Sequence, residues 1–241
     1  MTCDMNMNHL IKTSCVALGL TVPSFAGSEV GAIDEAHNPW SVEASLLYMY
    51  AEGDGTDSHY EGQDHEVGYR LQLGYQPDAD SWTYGLEFTQ FEGTTDDGGG
   101  EDGPEFMILD FTVSDDFQWN EFDLTYSLGL RYMDLEEPYS GSFDVNYEGY
   151  GPVVGLSATH EFIGPLSLYG EAEASFLFGD DSEEYVPDET FTWKIGVGLQ
   201  YDFECGAYMK LGYEFQQYAN MAYDTNDFSV DGLVLSVGCE F

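Results

Sequence analysis

The chain has 241 residues, which suits one domain, and its 18 Tyr, 16 Phe and 28 Gly favour sheet and turns over helix. Its formal net charge of -41, from 46 acidic residues against five Lys and Arg, excludes nucleic acid and anionic lipid surfaces as direct partners and leaves cations as candidates. No run of 18 apolar residues follows the leader, so a helical membrane protein is excluded as well.

The first 26 residues read as a signal peptide. Lys12 precedes a short apolar stretch that ends in Ser24 and Ala26, the small residues that a signal peptidase requires. We therefore predict cleavage after Ala26; a buried first strand is the alternative interpretation. Residues 27–39 then form a short periplasmic segment, and residues 40–241 form the main domain.

Segments of alternating apolar and polar residues fill this domain, and each is about as long as a tilted strand needs to cross a bilayer. The pattern predicts an all-β protein, a transmembrane antiparallel up-and-down β-barrel of about ten strands, with eight or twelve as alternatives. The predicted strands are 40–50, 67–75, 82–88, about 106–114, 122–132, about 149–162, about 166–178, 191–203, 209–215 and 233–241.

The connections alternate in length, as they do in outer-membrane barrels. The predicted short turns are 76–81, 115–119, 163–165 and 204–206. The predicted long acidic loops are 53–64, 93–103, 136–146, 180–189 and 220–227. Both termini then lie on the periplasmic side, which requires an even number of strands. The chain ends in an aromatic residue, Phe241, on an alternating strand, as outer-membrane barrels commonly do.

Alternation alone does not say which face is inside, because a soluble lipocalin-like barrel places its apolar face in the lumen. Ten strands with several large apolar side chains each would overfill so narrow a barrel, whereas the opposite set of Gly, Ser, Thr and a few charges fits. We therefore expect the apolar face to contact lipid and the polar face to line the lumen.

The charged residues agree with this assignment, because a charge that faces the middle of the bilayer costs roughly 2 to 4 kcal/mol. Every basic residue after the leader lies on the polar face of its strand, together with many carboxylates. We expect a lumen crossed by ion pairs, with Lys194 next to Glu171 or Glu173. The predicted lumen residues are Glu43, Glu66, Arg70, Glu87, Asp110, Asp123, Arg131, Glu171, Glu173, Lys194, Lys210 and Glu214.

Two cysteines, Cys205 and Cys239, follow the leader. If the last two strands pair as a hairpin, these residues approach one another at the same rim, and an oxidising periplasm would permit a disulfide. Two reduced cysteines are the alternative.

Several stretches rich in glycine and aromatic residues resemble the pore-forming outer-membrane family typified by the Legionella major outer-membrane protein. They are EGYGPVVGL at 148–156, LSLYG at 166–170, SFLFG at 175–179, GLRY at 129–132, LGYEFQ at 211–216 and DGL at 231–233. The resemblance spans about residues 40–241 and implies a porin-like protein of a Gram-negative-type outer membrane that passes ions or small solutes. Relatives often carry a longer helical segment before the barrel than residues 27–39 provide.

The residues themselves allow three functional classes. The first, and the one that we predict, is a porin-like pore for ions or small solutes; ten strands leave it at most a narrow or partly plugged path, and its acidic loops and lumen would favour cations. A plugged structural or adhesive barrel is the second class; its loops at 96–102 and 180–184 supply carboxylates for weak divalent cation binding, although they match no EF-hand spacing. We predict no cofactor and no dedicated metal site.

The third class is an omptin-like outer-membrane protease. Its candidate residues are Asp57, His59, Asp64 and His65 in the first long loop, but no matching second acidic pair can be assigned. A lipid-modifying pair of Ser157 and His160 fails because the two residues fall on opposite faces of one strand. We therefore predict that the protein is not an enzyme and has no catalytic residue.

Overall fold

The computed structural model describes residues 39–53, 65–78, 80–94, 102–139, 143–181, 189–203, 205–222 and 226–241. These residues form ten β-strands, and none of them belongs to a helix long and apolar enough to span a membrane. The strands are β1 Trp40–Gly53, β2 Glu66–Tyr75, β3 Thr83–Thr94, β4 Asp102–Trp119, β5 Phe122–Tyr139, β6 Phe143–Ile163, β7 Leu166–Asp181, β8 Glu189–Asp202, β9 Ala207–Ala222 and β10 Asn226–Glu240.

The strands close into an antiparallel up-and-down barrel in which each strand pairs with its neighbours in sequence and β1 pairs with β10. Trp40 and Phe241 exchange backbone hydrogen bonds of 3.1 and 2.8 Å, so the two ends of the domain are tied together. Closure leaves no exposed sheet edge. The predicted fold class and the strand number of ten are confirmed.

Several strands are longer than the alternation predicts. The β4–β5 hairpin turns at Asn120 and Glu121 only, so the predicted turn at 115–119 is wrong and those residues continue β4. Asn120 has a φ of 57°, a left-handed conformation that asparagine tolerates in tight turns. At the other end, β5 runs to Tyr139 and β6 begins at Phe143, where a loop over 136–146 was expected. We call the two ends of the barrel the short-turn end and the long-loop end.

Large apolar side chains cover the outside of the barrel in a continuous belt. Leu130 is 64% exposed and Val197 61%, values that only a surface in contact with lipid makes favourable. On β4 the belt lies between the outward-facing Asp115 and Glu105, ten residues apart. At about 3.4 Å per residue and a tilt of about 40°, this span is about 26 Å high, close to the apolar band of outer-membrane barrels.

The polarity of the two faces inverts where the strands pass beyond the belt at the long-loop end. On β5 the outward residues change from Leu130 and Tyr132 to Asp134 and Glu136, while the inward residues change from Arg131 to the buried Met133 and Leu135. The same switch occurs on β3, β9 and β10. The barrel therefore continues past the membrane as a water-exposed sheet with an apolar core, which is why its strands exceed the nine to eleven or so residues that a crossing needs.

Candidate functional site

The lumen contains all four basic side chains of the barrel, and their contacts define the candidate site. Arg70, Arg131 and Lys194 are buried, whereas the side chain of Lys210 is 25% exposed. Ion pairs within 4 Å join them to carboxylates from the predicted set: Glu43, Glu87, Asp110, Glu173 and Glu214. Of the other predicted residues, Glu171 lines a cavity below these pairs, Glu66 lies at the first position of β2, and Asp123 is exposed near the start of β5.

Arg70 connects two strands that are not neighbours in the sheet. Its guanidinium donates two hydrogen bonds to Glu214 on β9, of 2.9 and 2.7 Å, across the width of β1 and β10. Its Nε lies 3.2 Å from Glu87 on β3 and 3.1 Å from the hydroxyl of Thr89. The planar guanidinium suits this arrangement, because its donors can hold two carboxylates in fixed positions.

Arg131 and Lys194 complete this layer. Arg131 on β5 donates to Asp110, with an Nε to Oδ1 distance of 2.8 Å, and to Glu173 on β7. Lys194 Nζ lies 3.7 Å from Glu173 and 3.9 Å from Glu87. Lys194 on β8 and Glu87 on β3 come from directly opposite sides of the barrel, five strands apart in either direction. At this level ion pairs bridge the lumen from one wall to the other. We call the residues that form them the ionic layer: Arg70, Glu87, Asp110, Arg131, Glu173, Lys194 and Glu214.

A layer of aromatic rings lies above the ionic layer, toward the long-loop end. Ring centroids are 5.3 Å apart between Phe91 and Phe106, 5.7 Å between Phe106 and Tyr218, and 5.6 Å between Tyr218 and Phe228. Phe106 on β4 and Tyr218 on β9 are again on opposite sides of the barrel. Such tilted or offset pairs are favourable ring geometries. These rings, the aromatic layer, therefore bridge the lumen a second time.

Aliphatic side chains fill the remaining space around the aromatic layer. They are buried side chains from five of the strands: Leu47, Met49, Ala51, Ile108, Met133, Leu135, Leu177, Val230 and Val234. The hydroxyl of Tyr218 donates to Gln216, whose amide donates to Glu214, so the two layers are linked. Burial of this many apolar side chains against one another stabilises a closed lumen.

A polar cavity of about 320 Å³ lies on the other side of the ionic layer. Its lining extends from Glu87 and Lys194 in the ionic layer to Thr83 and Thr159 near the strand ends. It therefore opens at the short-turn end and stops at the ionic layer. Lys210 and Glu43 are paired at 2.7 Å beside it, and Glu43 also accepts a hydrogen bond of 2.8 Å from Tyr208.

The two cysteines are not joined by a disulfide bond in the structure. The register places Ala207 opposite Cys239, and Cys205 lies two residues further on, in the β8–β9 turn. Cys239 occupies the outward parity of β10, away from the lumen. In this register the two cysteines are offset by two residues, and the alternative with both cysteines reduced is the one that the structure has.

Among the candidate enzymatic residues, His65, Ser157 and His160 are described by the structure. Asp57, His59 and Asp64 lie outside the described residues, and His65 stacks on the outward-facing Tyr48 with ring centroids 4.9 Å apart. His160 faces outward, with Nδ1 2.8 Å from the carbonyl oxygen of Glu121, whereas Ser157 on the inward parity lines the cavity.

Within the part of the chain that the structure describes, no group of three or more His, Cys, Asp or Glu side chains is placed to hold a metal ion. The carboxylates of the ionic layer are instead occupied by guanidinium and ammonium groups. Of the predicted acidic segments at 96–102 and 180–184, residues 96–101 and 182–184 lie outside the described residues.

No protein-family model and no curated protein matches the chain. Among solved structures, the outer membrane protease OmpT from Escherichia coli matches 85% of this chain and 97% of its own, with a TM-score of 0.52 and 8% identity. Neisserial surface protein A matches 84% of this chain and 97% of its own, with a TM-score of 0.43 and 11% identity. The toluene transporter TodX from P. putida matches 86% and 91%, with a TM-score of 0.41 and 12% identity.

At this identity the likeness to OmpT shows the fold alone: this chain is a barrel of the outer-membrane type. The lipid-facing belt described above agrees with that fold. This structural similarity does not assign a substrate or an activity to the chain, because proteins with very different functions share such barrels.

Proposed function

We propose that this protein is a sealed outer-membrane barrel that serves as a structural or adhesive platform and displays acidic loops at the cell surface. The observation that supports it is the double closure of the lumen. Both the Lys194–Glu87 ion pair and the Phe106–Tyr218 ring contact join strands on opposite sides of the barrel. A solute would have to break both layers to pass.

The surface beyond the belt supports the display function. Its outward-facing described residues include Glu92, Glu105, Glu136 and Glu148 on four different strands. The basic side chains of the barrel are all in the lumen, so this surface is uniformly negative toward a partner. Its natural partners are divalent cations and positively charged surfaces.

The orientation follows from the same proposal. The short-turn end lies in the periplasm and the long-loop end outside the cell, after export by the signal peptide at residues 1–26. An epitope inserted at Gly98, in the acidic loop over 93–103, should be recognised by antibody on intact cells. Recognition only after the cells are broken would reverse the orientation.

Liposome swelling tests the sealed lumen. Liposomes that contain the folded protein should not swell in isotonic arabinose any faster than empty liposomes. A matched variant that removes the layers, with Lys194, Phe106 and Tyr218 all replaced by Ala, should admit the sugar if it folds. Swelling with the unchanged protein would refute the sealed lumen without requiring any variant.

A narrow cation-preferring pore is the second candidate, favoured by the polar cavity that reaches the ionic layer from one end. Carboxyl groups outnumber basic groups in the lumen, so an open state would select cations. This candidate agrees with the resemblance to the Legionella family, but it requires both layers to move aside. Selectivity for anions, in any conductance observed, would exclude it.

We propose no enzymatic activity for the barrel. The omptin-like hypothesis predicts that replacing His59 and His65 by Ala abolishes proteolysis of a basic peptide. We expect no peptide cleavage above background by either the unchanged protein or this variant. Cleavage that the double variant loses would instead favour a protease.

A further inference from the structure

The cavity at the short-turn end has the size and chemistry of a small binding site. Its 320 Å³ or so falls at the lower end of the volumes of ligand pockets in proteins. Hydroxyl groups dominate its walls: Thr83, Thr112, Thr125, Ser127, Ser157 and Thr159. Because the ionic layer closes its inner end, a ligand would enter and leave by the same mouth.

Two residues of β7 are set into the wall of this cavity by glycines on the neighbouring strand. Glu171 lies opposite Gly196, where an added Cβ would come within 2.8 Å of Oε1 and 2.9 Å of Cγ of Glu171. Tyr169 lies opposite Gly198, where an added Cβ would come within 2.7 Å of the tyrosine ring. Only glycines leave room for these side chains to lie flat, which keeps the cavity open.

Glu171 differs from the other carboxylates that line the cavity. Glu87, Glu173 and Asp110 each have a basic partner within 4 Å. Glu171 has none among the residues that the structure describes, although Lys194 acts on it at longer range. Its carboxyl instead shares a hydrogen bond, and therefore one proton, with the carboxyl of Glu214, which also accepts both hydrogen bonds from Arg70.

Even with one proton shared by Glu171 and Glu214, acidic charge in the inner part of the lumen exceeds basic charge by one. Six carboxyl groups, Glu43, Glu87, Asp110, Glu171, Glu173 and Glu214, face four basic groups, and Lys210 is already held by Glu43 at 2.7 Å. Carboxylates inside a barrel surrounded by lipid are costly without cationic partners. A positively charged ligand at Glu171 would supply the missing partner.

We propose that the cavity binds a small primary amine with a hydroxylated body, a molecule of the size of one amino sugar. The ammonium group contacts Glu171, which has no basic group within 4 Å among the described residues, and replaces the proton that Glu171 shares with Glu214; that proton leaves to water. The hydroxyl groups of the ligand exchange hydrogen bonds with Ser157 and the threonines of the wall. This binding site is independent of the sealed platform proposed above, because it needs only the cavity and not the closure of the aromatic layer.

Titration calorimetry with the folded full-length protein in detergent micelles tests this site. The probes are glucosamine, glucose and N-acetylglucosamine, at a pH that keeps the amine protonated. Glucosamine should bind at least about tenfold more tightly than either neutral sugar, since only it carries the ammonium. Equal binding of the three sugars, or binding of none, would overturn the proposal with the unchanged protein alone.

Variants locate the contact. Glu171→Gln should weaken glucosamine binding about tenfold, whereas Glu66→Gln, a matched change at the far end of β2 and outside the cavity, should leave it unchanged. Gly196→Ala should weaken binding too, because its methyl group displaces Glu171 while the charges stay the same. Glucosamine binding that survives both cavity variants would refute the assignment to Glu171.

Discussion

Replacement of Arg131 by Met tests whether the ionic layer stabilises the barrel. Arg131 is buried and joins Asp110, which is 2% exposed, to Glu173. Without the guanidinium, Asp110 loses its ion-pair partner, whereas Glu173 keeps Lys194 at 3.7 Å. We therefore expect the cost of one broken buried pair, about 3 to 5 kcal/mol in the free energy of unfolding, and not of two.

Urea unfolding of the protein in detergent micelles or liposomes, followed by tryptophan fluorescence, measures this cost. Addition of Asp110→Asn to Arg131→Met should recover at least half of the loss, because it removes the charge left without a partner. Lys210→Met is the matched control. The side chain of Lys210 is 25% exposed, and Glu43 keeps the hydrogen bond from Tyr208 after its loss, so this change should cost less than half as much. A cost below about 1 kcal/mol for Arg131→Met, or no recovery in the double variant, would refute this account of the ionic layer.

Two further predictions concern the wall. Leu235→Lys places a charge within the belt and should destabilise the folded protein in liposomes by roughly 2 to 4 kcal/mol. Glu136→Lys, an outward-facing change opposite Glu105 at the edge of the belt, should stay within about 0.5 kcal/mol, and equal costs would mean that the belt is misplaced. Gly151→Ala should prevent folding, because its Cβ would overlap the carbonyl oxygen of Phe176 on the neighbouring strand. Gly170→Ala is its control, with the nearest atom 3.8 Å away, and should fold; the shift in gel migration between unheated and heated samples reports folding, and equal behaviour would contradict the close approach.

The strand number follows from alternation, because residues two apart share one face of a strand, and the outward belt follows from the small volume of so narrow a lumen. On β8 the outward series from Phe191 to Tyr201 and the inward Lys194 fall as the pattern requires. The neighbour expected for Lys194, Glu173, also lies within reach, because it stands opposite Lys194 in the register of β7 and β8.

The partners across the lumen could not be predicted. The Arg70–Glu214 and Lys194–Glu87 contacts depend on closure of the sheet, on the number of strands and on their stagger. A strand pattern carries none of these quantities. The cavity beside Glu171 forms because long inward side chains on one strand lie opposite glycines on the next. Predicting it would require the register between the strands, which the sequence pattern does not give.

The aromatic layer was missed although the sequence carries a signal for it. After Tyr132 the apolar residues move from even to odd positions, to Met133 and Leu135, while Asp134 and Glu136 take the even positions. Such a change of parity marks the point where a strand leaves lipid, since its outward face then meets water and its inward face can form a core. The acidic composition of residues 136–146 instead favours a loop.

Single-channel recording in planar lipid bilayers tests the sealed lumen most directly. The folded protein, unchanged in sequence and inserted from detergent, should produce no stepwise current in 1 M KCl, because the ionic and aromatic layers both bridge opposite strands. Regular unitary steps of constant size, from protein whose folding is verified in the same preparation, would contradict the closed lumen and favour the cation pore.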